Sequence, residues 1–349
     1  MSGVCAAMTA PLLGWYDAGH RDLPWRASPT PYHVWVSEIM LQQTRVEAVR
    51  GYYDRWMQAL PDIRALAAAE EAVYMKLWEG LGYYSRVRNL HRAAVEVCAA
   101  YGGALPADYD KLRALPGIGE YTAGAIASIA FGLPIPAVDG NVLRVAARLD
   151  NDFTPITDAK YKKQTRTRFA ALMPADRPGD LNQALMELGA MVCLPNGAPL
   201  CGDCPLQHLC LGYHHGNAAV LPMRAAKKAR RVEARTVLLI RCGGLVGIRR
   251  RPDSGLLAGL WELPALDGAL TPDEVRQALA ARGWQTSKLL SLRPAKHIFT
   301  HVEWHMTGYY LELAAPPAEL TFVTPADLRA AYALPSAFRS FLSVLEGEA

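Results

Sequence analysis

A chain of 349 residues is long enough for about two domains, each with its own buried core. Its 51% apolar and 20% charged residues exclude a disordered chain, and 28 glycines without a three-residue period exclude a collagen-like fibre. No apolar run reaches the roughly 18 to 20 residues of a membrane span, and MSGVCAAMTAPLLGWYDAGH lacks the basic start and clean apolar core of a signal peptide. The formal charge of +4 is too small to demand a polyanionic partner, although a local basic patch could bind one. The expectation is a folded cytosolic protein without membrane contact.

Helical periodicity runs from about residue 6 to 213, as in EEAVYMKLWEGL and NQALMELGAMV, where apolar positions recur every three or four residues. Within it, PYHVWVSEIMLQQTRVEAV predicts a helix starting near Pro31 after Thr30. Glu38 has Val34, Trp35 and Leu41 one turn away, so apolar surface should raise its pKa and keep it protonated. The plainer reading of a lone glutamate there is a surface helix position. Further on, Leu115-Pro116-Gly117-Ile118-Gly119 separates the helical stretches DKLRAL and EYTAGAIASIAFG. Gly117 and Gly119 form either a simple tight turn or a set of exposed backbone N–H groups at a helix start, which is how a hairpin grips a DNA backbone without reading sequence. The small residues from Thr122 to Ser128 predict close packing of the second helix.

Asp139, in PAVDGNVLRVAARL, falls where the chain turns from Pro134 and Pro136 into a helix, the position of an N-cap, and as a cap it should stay ionised. One acid kept neutral and one kept charged is what cleavage of a glycosidic bond needs, because the leaving group must be protonated while a cationic sugar is stabilised. Taken separately, Asp139 could be a cap and nothing more.

Of seven cysteines, Cys193, Cys201, Cys204 and Cys210 crowd into eighteen residues with the spacing C-x7-C-x2-C-x5-C. In a reducing cytosol such clustering favours a metal over disulfides. Four thiolates suit either tetrahedral zinc or a [4Fe-4S] cluster; one compact loop with a single Cys-x-x-Cys knuckle leans toward iron and sulfur. After it, residues 224 to 235 hold six basic side chains against Glu233 alone, a pattern that predicts an exposed basic linker over 214–234 or a plain solvated spacer. From about 235 the texture changes. RTVLLIRCGGLVGIRRRP predicts strand, Gly-Gly turn and strand, while Val302, Trp304 and Met306 alternate with Glu303, His305 and Thr307, so 235–349 is expected to be an α+β domain.

The order SEIMLQQT, GLGYYSR, LPGIGEYTAGAIA, VDGNVLR and cysteine loop resembles the helix-hairpin-helix DNA glycosylases, and among them the adenine DNA glycosylase family. The resemblance covers nearly the whole chain and implies a multi-domain fold: an all-α helix-hairpin-helix region with an iron-sulfur loop over 1–213, then a Nudix-like domain that recognises 8-oxoguanine. It implies that Glu38 protonates the adenine and Asp139 stabilises or captures the oxocarbenium-like sugar, with Tyr121 and Asn141 supporting them. It further implies that Gln43 and Tyr83 enter the base stack when adenine is flipped out, and that Phe299, Thr300 and His301 in KHIFTHVEW read the oxidised guanine. The four clustered cysteines would hold a [4Fe-4S] cluster, and a monomer would act on double-stranded DNA carrying an A:8-oxoguanine or A:G mispair. On residues alone, the 299–301 triplet reads as part of a strand or turn.

Bifunctional relatives carry a lysine two residues beyond the hairpin's last glycine, where this chain has Tyr121, so base removal without strand cleavage is expected. GLWELPALDGALTPDEVRQALAARG lacks the acid-rich core of an active Nudix box, so the second domain should bind a base and not hydrolyse nucleotides. Two features depart from the family pattern. Seven residues instead of six separate Cys193 from Cys201, and Glu120 follows the hairpin, where its charge should slightly repel phosphate. The rival readings are a thymine or uracil mismatch glycosylase of the same fold and a catalytically silent DNA-binding protein.

Overall fold

The computed structural model describes residues 7–224 and 229–345. The chain divides into two compact units, one made of Met1–Ala69 with Ser85–Ala226 and the other of Glu70–Tyr84 with Lys227–Ala349.

The first unit is helical. Its core joins the Thr9–Gly19 helix to the helices Gly140–Leu149 and Pro178–Met191, with Leu12, Tyr16, Val142, Val145, Leu181, Leu185 and Leu188 all buried. Leu181, Leu185 and Leu188 repeat at helical spacing, and each is fully removed from water, worth roughly 1.5 to 3 kcal/mol per side chain. The Pro31–Leu41 helix begins at the predicted place: Thr30 Oγ1 accepts the His33 N–H at 3.3 Å, and Pro31 occupies the first turn, where its missing N–H costs nothing. The helix Glu120–Ala125 continues into a π turn, Ile126–Ala130, whose first three residues, Ile126, Ala127 and Ser128, are buried.

The second unit carries a mixed seven-stranded sheet: β1 (Arg231–Cys242), β2 (Leu245–Arg250), β3 (Trp261–Glu262), β4 (Ala265–Asp267), β5 (Thr286–Ile298), β6 (Val302–Leu313) and β7 (Thr321–Val323). The main path runs β3-β2-β1-β6-β5, with β4 paired to β1 and β7 to β2. β1 and β6 are parallel, from Arg231 opposite Val302 to Arg241 opposite Glu312, and their neighbours are antiparallel. β1 is buried on both faces. Val237 and Leu239 meet Trp304, Phe338 and Phe341 on one side, while Leu238 and Ile240 meet Val275 and Leu279 of the Pro272–Ala280 helix on the other. Gly243 and Gly244 turn β1 into β2 with φ of 54° and 82°, the double left-handed conformation a two-residue hairpin requires.

Two expected boundaries differ from the structure. β1 begins at Arg231, inside the anticipated linker, because Glu233 draws Arg231 (2.5 Å) and Arg235 (3.3 Å) into ion pairs and accepts the Trp304 indole N–H at 2.9 Å. Lys227 and Lys228 of that linker lie outside the described residues. Residues 70–84, expected within the helical region, instead pack with the second unit. There Lys76 Nζ donates to Tyr332 O at 3.1 Å, Glu79 Oε1 accepts the Leu334 N–H at 2.8 Å, and Glu71 pairs with Arg250 at 3.2 Å. Among the described residues no helix is long and apolar enough to cross a membrane.

Candidate active site

A cleft of about 950 Å³ opens in the first unit, and Glu38, Tyr121, Asp139, Asn141, Gln43, Gly117 and Gly119 all line it. Glu38, at 7% exposure, projects from the Pro31–Leu41 helix, and its Oε2 accepts the Tyr121 O–H at 2.5 Å. Burial pushes its pKa up to about 7, with Asp139 adding to the rise and the Tyr121 hydrogen bond and Arg26 opposing it. Burial also raises Tyr121 well above its usual value, so its hydroxyl stays a donor.

Asp139 caps the Gly140–Leu149 helix. Its Oδ1 accepts the Val142 N–H and its Oδ2 accepts an Asn141 amide N–H, both at 2.8 Å. Burial raises its pKa, the opposite direction from that expected of a cap, and the hydrogen bonds from Val142 and Asn141 with the charge of Arg144 offset part of the rise. Asn141 is itself fixed: Arg144 Nη2 donates to its Oδ1 at 2.8 Å and to Gly189 O at 2.7 Å, and Arg144 Nε donates to Cys193 O at 2.8 Å. A side chain at Gly189 would meet the Asn141 Cβ at 2.6 Å, so only glycine lets the Pro178–Met191 helix come this close. One run of hydrogen bonds thus joins the Asp139 carboxyl to the backbone of the first clustered cysteine.

The hairpin turns at Gly117 with φ of 77°, and a Cβ there would lie 2.6 Å from the Asn89 Cβ. Gln43 also takes a left-handed backbone, φ 57°, which costs energy for a side-chain-bearing residue and aims it from the end of the Pro31–Leu41 helix into the cleft.

The cleft contains residues that no short motif announces. Glu187, buried on the Pro178–Met191 helix, is gripped by Arg21 (Nε to Oε1, 2.7 Å; Nη2 to Oε2, 3.0 Å) and Arg26 (Nη2 to Oε2, 2.9 Å). Burial alone would raise this carboxyl, but the hydrogen bonds from Arg21 and Arg26 outweigh it and hold it down at about 2. The partners lie 166 and 161 residues apart in sequence, so no spacing rule could have joined them.

The four clustered cysteines border one small cavity walled by Val145, Leu149, Leu188 and Leu206. Arg148 Nη1 donates to Cys193 Sγ at 3.1 Å, and Cys210 Sγ–H donates to Arg148 O at 3.3 Å. The extra residue between the first two cysteines is absorbed by a loop that closes with Leu200 N–H on Val192 O at 2.9 Å. Among the described residues no three Cys, His, Asp or Glu side chains converge as they would on a single ion. The four sulfurs border a shared apolar cavity, a donor set that fits a cluster in which each thiolate would take its own iron.

The remaining predicted residues belong to the second unit. Tyr83, left-handed at φ 47° and 46% exposed, shares a 2.9 Å hydrogen bond with Thr300 Oγ1. Phe299, Thr300 and His301 form the turn from β5 to β6, closed by Phe299 N–H on Val302 O at 2.8 Å. The Phe299 ring packs edge-on against Trp304, 4.8 Å between centroids, and anchors the turn, whereas Thr300 and His301 are exposed.

Residues 36–174 match the HhH-GPD superfamily of base excision DNA repair proteins, and residues 236–344 match the NUDIX domain. The chain is 38% identical to the adenine DNA glycosylase of Mus musculus over 89% of this chain and 72% of the mouse protein. It is 35% identical to that of Homo sapiens over 98% of this chain and 74% of the human one. Buchnera aphidicola subsp. Baizongia pistaciae has an adenine DNA glycosylase 29% identical over 86% of this chain and 84% of its own. Among solved structures, a thermostable thymine-DNA glycosylase superposes with a TM-score of 0.54 at 26% identity, over 61% of this chain and 97% of that one. A non-covalent endonuclease III–DNA complex shares the fold, with a TM-score of 0.53 at 23% identity over 62% of this chain and 99% of that one.

Proposed function

The chain belongs to the adenine DNA glycosylase family, and from that membership we propose that Glu38 and Asp139 cut the bond between adenine and deoxyribose where adenine stands opposite 8-oxoguanine or guanine in duplex DNA. The protein is a DNA glycosylase with a helix-hairpin-helix region followed by a Nudix-like domain. The observation that carries the reading is Glu38: a carboxyl with its pKa pushed up to about 7, lining the cleft and accepting through one oxygen the O–H of a tyrosine that keeps its proton.

The steps follow from the chain's own groups. Tyr121 occupies Glu38 Oε2, so the transferable proton sits on Oε1. As the glycosidic C–N bond breaks, its electron pair goes to the base and the Glu38 proton neutralises it there. The sugar carbon is left electron-poor, and Asp139, oriented by Val142 and Asn141, offsets that charge. Water adds to the carbon, its oxygen becomes the hydroxyl of an abasic site, and its proton restores Glu38. Tyr121 offers no amine, so no Schiff base forms and the strand stays intact. A flipped base is required because a stacked atom is out of reach, and Gln43 and Tyr83 would fill the vacated stack. Thr300 and His301 would read the opposite base, with Phe299 holding their turn in place.

Cys193, Cys201, Cys204 and Cys210 would hold a [4Fe-4S] cluster whose bonds cross-link the loop that Arg144 ties to Asn141. The division of labour is catalysis over 1–213 without the Glu70–Tyr84 segment, and opposite-base recognition by the sheet domain that begins at Arg231 and takes that segment with it, in a monomer. One experiment tests the reading. A duplex with adenine opposite 8-oxoguanine, incubated with the protein and heated in alkali, should break at that adenine, while an unheated sample and a G:T duplex stay whole. Breakage at G:T instead would favour a thymine glycosylase, and no breakage would leave a DNA-binding protein.

A further inference from the structure

Glu120 follows the hairpin's last glycine, where an unbalanced carboxylate would repel a phosphate. In the structure its charge is already met. Arg166 donates through Nη1 to Oε1 at 2.8 Å and through Nη2 to Oε2, and Arg113 Nη2 stands 4.0 Å from Oε1. Arg166 belongs to the twelve-residue helix Ala159–Ala170, AKYKKQTRTRFA, which carries five cations and no acid. Tyr161, Thr165 and Phe169 are its buried face, repeating every four residues, and they fix its rotation. Lys162 and Arg166, each one step on, therefore stand side by side and line the same cleft as Gly117, Gly119 and Glu120, whereas Lys160 and Lys163 do not line it. Arg168 is engaged by Asp150. Lys162 has no carboxylate within ion-pair reach among the described residues, so this wall keeps one positive charge beyond what Glu120 balances.

We propose that Lys162 and Arg166 form a second phosphate site for the DNA backbone beside the hairpin, with Glu120 as the internal counter-ion that orients the Arg166 guanidinium before DNA arrives. The proposal rests on the cleft taking duplex DNA. It explains why a chain with an acid after its hairpin can still bind a polyanion there: the positive charge comes from another helix. The helix that supplies it is recognisable in sequence only as a basic stretch, and its placement beside the hairpin comes from tertiary packing.

The test uses the full chain and an undamaged duplex, with affinity measured across salt concentrations. Lys162→Gln and Arg166→Gln should each weaken binding and flatten the slope of log affinity against log salt by about 0.9, the value for one lost phosphate contact. Glu120→Gln should strengthen binding, and Lys163→Gln should leave the slope unchanged. If Arg166 only props the hairpin, Glu120→Gln combined with Arg166→Gln would restore the wild-type slope; the proposal expects it to stay flattened. Wild-type slopes in both single variants, or equal flattening by Lys163→Gln, would overturn the site. Adenine release from an A:8-oxoguanine duplex, measured in parallel on the wild type, reports on the glycosylase reading separately, since its loss would leave these slopes standing.

Discussion

Glu38 and Glu187 line one cleft from two different helices, both almost wholly buried, yet the first is pushed up to about 7 and the second held down at about 2. Burial acts on both in the same direction. The difference lies in the partners: one tyrosine hydroxyl for Glu38, two arginines delivering three side-chain hydrogen bonds for Glu187. Burial with a single neutral donor leaves a carboxyl protonated near neutrality, while two arginine partners hold an equally buried one ionised. Depth in the protein therefore says little about ionisation until the donors have been counted.

The comparison can be broken most sharply at Glu38. Glu38→Gln should cut single-turnover adenine release by at least about a thousandfold, because the amide has no proton to give. Its effect on stability runs the other way. Folding raises this carboxyl from 4.5 to about 7, so wild-type stability is full below pH 4.5 and declines as pH rises through 7, by roughly 3 kcal/mol. Glu38→Gln should consequently melt higher than wild type at pH 8. A variant that keeps more than a few per cent of activity removes Glu38 from its role.

Glu187→Gln should behave as the mirror image. Its stabilisation is present above pH 4.5 and is lost as pH falls toward 2, so the variant should be less stable by roughly 3 kcal/mol at pH 7, with Arg21 and Arg26 left without their anion. Melting curves at pH 7 and pH 4 would show the deficit shrinking in acid; a constant deficit would mean that packing, and not charge, is lost. Tyr121→Phe is subtler. The hydrogen bond that lowers Glu38 disappears, so the alkaline limb of the pH–rate profile should move to higher pH while the rate falls. An unmoved limb would mean that another group governs it. The smallest effect belongs to the second unit. Thr300→Ala and His301→Ala should each narrow the preference for 8-oxoguanine over guanine opposite adenine by about 1 kcal/mol, roughly fivefold, without changing the melting behaviour set by either glutamate.

Legibility in the sequence followed range. Asp139 was readable as a cap because prolines before it and a helical pattern after it fix the local geometry, and the Gly243-Gly244 hairpin was readable for the same reason. Glu38 was readable because its neighbours at one turn are apolar. The upward pKa of Asp139 was not, since burial comes from helices remote in sequence. Nor could the grip of Arg21 and Arg26 on Glu187, the bridge from Asn141 through Arg144 to Cys193, or the pairing of Glu120 with Arg166 be read from spacing. Each joins segments that meet only after folding. The family resemblance supplied Thr300 and His301, whose exposed turn carries no chemical signal of its own.

Residues 70–84 belong by packing to the second unit while lying in sequence between two stretches of the first. A deletion of residues 227–349 would take Tyr332, Leu334 and Arg250 away from Lys76, Glu79 and Glu71, and so injure the chain far upstream of the cut. Loss of discrimination in such a fragment could not be credited to Thr300 and His301 alone. The same holds for recombination, natural or designed: a chimera that exchanges the C-terminal region from Lys227 onward between relatives inherits mismatched contacts unless the Glu70–Tyr84 segment travels with it.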